Sequence, residues 1–239
     1  MINTPHRVTI KNMNDKKSKD LTENEKIRWE KFNQTKADFE SKGYKCIEKT
    51  MGTLYVNIMA VVVMLPYFIL TVVLYEWRHD FNWFSFFGVA EDLQDLLLYF
   101  AKLILFMLII FVFLFVHEGI HGICFAKFAK KGKKAVSFGF NKAAFAPYCT
   151  TDEPLTRRQY IAAAIMPTVF LGFIPSLIAI YNGSFFALII GVIMTFGGGG
   201  DFLMIYKLLA FKSESKDLFF MDSPTEIGSY IFVKEEDAQ

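Results

Sequence analysis

His117-Glu118-Gly119-Ile120-His121 sets two imidazoles four residues apart with a carboxylate between them. On a helix, residues i and i+4 project from one face about one turn apart. Two imidazoles so placed can both reach a tetrahedral Zn²⁺ at roughly 2.0–2.1 Å. The intervening Glu118 can then act as general base on water at the metal. Gly119 and Gly122 leave room for another helix or a substrate to come close. The competing interpretation is a buried polar network, in which the imidazoles bond to Glu118 or to backbone and tie helices together.

Zinc in a hydrolase keeps three protein ligands and one open position, so a third donor must come from elsewhere. Asp201 is the leading candidate, because it stands in an apolar segment directly after Gly197-Gly198-Gly199-Gly200. The alternative role for it is a bond to a neighbouring helix, or the cap of a broken half-helix. Cys124, at i+7 from His117 and i+3 from His121, shares their face but ranks lower, since a reduced cysteine is also a small buried hydrophobe. His79, between Arg78 and Asp80, reads as solvated, and His6 takes no role.

The elements that must position these groups are apolar. Of 239 residues 53% are hydrophobic and only 21% charged, and the apolar ones come in blocks. Four blocks, at about 51–75, 92–126, 160–181 and 185–210, reach the roughly 18 residues of a membrane-spanning helix. That excludes an ordinary soluble enzyme, a nucleic-acid binder and a disordered chain. The 3 cysteines form no CxxC pair, so neither a disulfide framework nor a thiolate zinc cluster is implied. The first fifty residues are charged throughout and carry no cleavable signal, so the first block is expected to act as a signal anchor.

Lys and Arg number twelve in residues 1–50, one between blocks one and two, eight from 127 to 158, none between blocks three and four, and four from 207 onward. Basic connections stay on the cytosolic side, so both termini are expected there. His117 precedes Lys127 by ten residues, which puts about 15 Å of helix between it and the cytosolic boundary. Pro66, Pro167 and Pro175 should kink their spans. Thr22 followed by Glu25 is a capping-box pattern that opens a helix to about Lys42, and the aromatic stretch through Phe87 should lie at the membrane interface. Residues 136–149 read as a hairpin turning at Asn141-Lys142, whose edge could pair with an extended substrate.

The expected fold is an all-α membrane protein of about four transmembrane helices, with a short cytosolic β-hairpin between helices two and three. It divides into a basic, partly helical cytosolic arm (1–50), a four-span metal-binding region (51–211) and a cytosolic tail (212–239). The partners expected are membrane lipid and a membrane-protein or peptide substrate, without nucleic acid.

Residues 117–122, with Gly122 after the second histidine, are similar to the site-2 protease type of intramembrane metalloprotease. More closely, the chain resembles a family of small bacterial membrane proteins described as candidate zincin peptidases. The resemblance rests on residues 117–122, on Ala146-Pro147-Tyr148 through Glu153-Pro154-Leu155, on 160–175, on 198–201, and on Asp222-Ser223-Pro224 with Gly228. It implies zinc-dependent hydrolysis of a peptide bond within or next to the plasma membrane, with His117, His121 and Asp201 as ligands and Glu118 as base. One departure from the site-2 pattern stands out. There the aspartate is commonly followed by glycine, whereas Asp201 is preceded by glycines and followed by Phe202. The competing class is a non-catalytic zinc-binding membrane protein or a metal transporter. A transporter would spread acidic groups and histidines along a path through several spans, but here they cluster at one depth.

Overall fold

The computed structural model describes residues 23–80, 92–141 and 146–235. The aromatic stretch of residues 81–87, Thr22 of the capping box, Lys142 of the hairpin turn and His6 lie outside them. Helix α1 (Glu23–Ser41) opens with Glu23 and Glu25 in its first turn, where negative charge suits the helix dipole. Strand β1 (Tyr44–Met51) follows and leads straight into α2 (Thr53–His79), which contains Pro66.

Helix α3 (Leu93–Phe128) is 36 residues long, and the Asp92 side chain caps it by accepting the Asp95 N–H. A short 3-10 turn (Gly132–Ala135) then delivers the chain to β2 (Val136–Asn141) and β3 (Ala146–Thr151). These pair antiparallel as the hairpin pattern predicts, but the register corrects the expected turn. Phe138 stands opposite Cys149 and Asn141 opposite Ala146, so Asn141 ends the strand instead of turning the chain. After β4 (Leu155–Thr156), a capping box between Thr156 and Gln159 starts α4 (Arg157–Thr168). A π-helical turn (Val169–Phe173) between Pro167 and Pro175 joins α4 to α5 (Ile174–Asn182). Gly183, at φ 79°, ends α5 in the left-handed conformation that glycine adopts without steric cost. Ser184 caps α6 (Phe185–Gly197), and α7 (Gly199–Ala210) continues at a bend of 45°.

Three helical segments, α2, α3 and the α4–α5 run, are long and apolar enough to cross a membrane, and the bent α6–α7 pair makes a fourth if it is one span. The helical expectation therefore holds for the apolar part of the chain. The all-α expectation needs correction elsewhere. Strands β5 (Leu218–Asp222) and β6 (Ile227–Lys234) join β1 and β4 in an antiparallel sheet of order β1-β6-β5-β4. The arm, read from sequence as partly helical, and the tail, to which no strand was assigned, thus meet in one sheet.

The packing has three centres. Phe125, Leu155, Tyr160, Leu208, Phe220 and Ile231 join the ends of α3, α4 and α7 to the sheet. Phe32 of α1 packs on Tyr230 and Phe232 of β6. At the far end Tyr75 of α2 packs on Phe185 and Leu188 of α6, and its hydroxyl donates to the Gly183 carbonyl at 2.7 Å. His79 belongs to this joint, with Nε2 2.7 Å from the Ile180 carbonyl, so it is a tie between α2 and α5 and not a solvated side chain. Between α4–α5 and α6 the packing is small on small. A Cβ at Gly191 would strike Ser176, and one at Gly198 would strike Thr168, the close approach that small residues permit between apolar helices.

Candidate metal centre

The last third of α3 supplies the two imidazoles. His117 and His121 are buried, with ring centroids 4.9 Å apart and planes nearly perpendicular. Their helical spacing alone accounts for the shared face. His121 Nδ1 lies 3.0 Å from the Ala163 carbonyl of α4. A carbonyl only accepts, so Nδ1 carries the hydrogen and Nε2 of the neutral ring presents a lone pair.

That lone pair faces Asp201. The carboxylate stands in the first turn of α7, just beyond the break at Gly198. Its Oδ2 is 3.3 Å from His117 Nε2 and 3.4 Å from His121 Nε2. The break is backed by α2, because a Cβ at Gly199 would collide with Ala60. Four bonds of roughly 2.0–2.1 Å at tetrahedral angles separate donor atoms by about 3.3–3.4 Å. The spacing of the two nitrogens from Asp201 Oδ2 matches that value. Lone pairs facing each other at this spacing are bridged either by a proton on the imidazole or by a metal ion. The donor set therefore fits a divalent metal of the zinc type.

A second carboxylate is close by. The Glu118 oxygen and the two ring nitrogens lie within 4.8 Å of one another. Glu118 is tethered differently, since its carboxylate accepts the Cys149 N–H of β3. The two acids differ in placement: Asp201 brings a single oxygen into contact range of both imidazoles, while Glu118 groups with them within 4.8 Å. The hairpin that holds Glu118 is itself keyed to α3. The Phe138 ring lies on Gly122 so closely that any Cβ there would strike it.

These groups open onto a cavity of about 780 Å³, lined on the site side by His117, Glu118, His121 and Asp201. That is within the range of ligand pockets, roughly 300–1,000 Å³. A Cβ at Gly197, which lines the cavity, would meet open space, so the backbone is bare there. The opposite wall comes from α1, the hairpin and the β5–β6 turn.

That wall holds residues to which the sequence reading gave no role. Asp222 accepts the Tyr160 hydroxyl on one oxygen and the Thr151 N–H at 2.8 Å on the other. Burial raises the Asp222 carboxyl above its ordinary value, against the pull of those two bonds and of the Arg28 charge. Arg28 donates to the Ser223 carbonyl at 3.1 Å and lies over the Tyr148 ring at 5.5 Å. Tyr148, Tyr160 and Asp222 all fall in stretches that carry the family resemblance, which was the available signal. Cys124 instead packs against the Phe125–Leu155 core.

Residues 110–216, a little under half of the chain, match the family model described as "Putative zincin peptidase". No curated protein and no solved structure matches the chain.

Proposed function

From the match of residues 110–216 to a zincin peptidase family, we propose that the chain is a membrane-embedded zinc peptidase. It would hydrolyse a peptide bond within or next to the bilayer. His117, His121 and Asp201 would hold the zinc, and Glu118 would be the general base. The observation that carries this reading is the pair of distances, 3.3 and 3.4 Å, from Asp201 Oδ2 to the two imidazoles.

Zinc, when bound, supplies Lewis acidity that polarises a carbonyl and acidifies water. The chain's own residues do the rest. Ala163 fixes the His121 tautomer so that Nε2 is free to bind. Glu118, aimed by the Cys149 N–H, takes the proton of the attacking water and passes it to the leaving amine. Gly139, Phe140 and Tyr148 of the hairpin line the cavity, which suits an extended peptide paired along a strand edge. The four apolar spans would lie in the plasma membrane, with the sheet and both termini on the cytosolic side.

A closed structural zinc site with Glu118 as fourth donor is the reading that the 4.8 Å grouping favours instead. One experiment separates the two. Bound metal is measured by mass spectrometry on detergent-purified protein, and hydrolysis of a quenched fluorescent peptide library is followed after reconstitution. The peptidase reading expects about one zinc per chain in wild type and in Glu118→Gln, and loss of zinc in His117→Ala and Asp201→Ala. Glu118→Gln should lose hydrolysis by about 10²–10⁴-fold while keeping the metal. Zinc lost from Glu118→Gln would favour the closed site, and no metal in any sample after zinc is added back would end both readings.

A further inference from the structure

Helix α3 ends in a cluster of cations. Lys127, Lys130, Lys131, Lys133 and Lys134 occur within eight residues, around the 3-10 turn Gly132–Ala135, and all five are exposed. Among the described residues only Lys131 pairs with an acid, Glu153, at 3.7 Å. The side chains of Lys127, Lys130, Lys133 and Lys134 make no ion pair among the described residues.

Other cations at the same end of the helices are engaged within the protein. The Arg157 guanidinium donates to the Phe211 carbonyl at 2.8 Å and lies over the Phe220 ring. Lys207 lies over the Tyr55 ring at 5.3 Å, and Lys31 pairs with Asp152 at 2.8 Å. The lysine turn is the densest run of exposed lysines left without an ion pair among the described residues.

We propose that this turn is a binding site for the headgroups of anionic phospholipids. Its position selects that partner. The apolar run of α3 ends at Phe128, so in a bilayer the turn emerges where the phosphates lie. Several lysines directly after a spanning helix, on the cytosolic side, attract anionic lipid, each adding roughly fivefold to the preference. A soluble acidic segment would have to compete with a lipid surface already in contact. The site also has mechanical reach. Lys127 follows His121 by six residues, and the turn runs directly into β2 of the hairpin that lies on Gly122. Headgroups held here fix the depth of the imidazoles and the hairpin together.

The test is native mass spectrometry of the full chain in detergent with equimolar phosphatidylglycerol and phosphatidylcholine of the same acyl chains. Wild type should retain phosphatidylglycerol over phosphatidylcholine by about tenfold or more, and the K130Q/K133Q/K134Q variant should fall near parity. The control K45Q/K49Q/K212Q, whose lysines are also exposed, should behave as wild type. Equal retention of both lipids by wild type overturns the proposal, as does an equal loss in the control. A polyglutamate peptide captured by wild type in phosphatidylcholine nanodiscs, lysine-dependently and with no phosphatidylglycerol preference, would overturn it in favour of an acidic protein partner. The same spectra report the zinc content, which the triple variant should leave unchanged, so the metal site and the lipid site stand or fall separately.

Discussion

Helix α3 is one continuous element with two unlike halves. Residues 93–116 are exposed or half-exposed along their length, and none of the helix's most apolar 18-residue window is buried inside the protein. From His117 onward the same helix is enclosed by α4, the hairpin and the core around Phe125. The composition changes with the surroundings: residues 93–116 are almost wholly apolar, while 117–128 bring in His117, Glu118 and His121. In water, the first half would leave a large apolar surface unburied, which soluble monomers avoid. Lipid acyl chains remove that cost, and they also withdraw the hydrophobic drive for this half to seek protein neighbours. The second half carries ionisable groups, and these must be enclosed with partners if they are to sit within an apolar layer. Protein packing is concentrated where the polar groups are.

The sharpest way to break this comparison is one truncation at each end. Phe125, buried, should cost about 3–5 kcal/mol when changed to alanine. Phe111, exposed and touching Phe115, should cost less than about 1 kcal/mol, since lipid fills the space. Unfolding of both variants in bicelles tests this, and equal losses would mean that the first half packs on protein after all.

A smaller effect probes the hinge between the halves. Gly122→Ala pushes a methyl group into the Phe138 ring and should destabilise by about 1–3 kcal/mol, as overpacking does. The hairpin would lift, withdrawing the Cys149 N–H from Glu118 and exposing the half-buried Cys149 thiol. Faster alkylation of Cys149, reversed by adding Phe138→Ala, is the expected signature. An unchanged alkylation rate would show that the ring simply swings aside.

The mildest test lies at the exposed end. Asp92→Ala removes the cap of α3 and should cost about 0.5–2 kcal/mol of helix stability. Its effect on bound zinc should be nil, because more than twenty residues of helix intervene. Loss of metal in that variant would show that the two halves are not independent.

The grouping of His117, His121 and Asp201 was legible in the sequence because it is local or sharply marked. The His117–His121 spacing fixes a shared helix face, and four glycines before an aspartate in an apolar run announce a break. The β2–β3 hairpin was legible too, since its strands are neighbours in the chain. The four-stranded sheet was not, for a physical reason. Strand β1 pairs with β6 across more than 180 residues, Tyr44 opposite Lys234, and its burial does not alternate cleanly. A strand recognises its partner through hydrogen bonds that every residue offers alike. Asp222 was illegible for the same reason, because its partners Tyr160 and Thr151 are distant in sequence.

The bend at Gly198 has an electrostatic consequence. Because α6 stops and α7 begins there, Asp201 occupies the first turn of a new helix and not the middle of a long one. The start of a helix carries about half a positive charge, worth roughly 0.3–2 kcal/mol to a nearby anion. Set in an apolar layer, which would offer few countercharges, the fold would supply one out of its own backbone, beside the carboxylate that both imidazoles face.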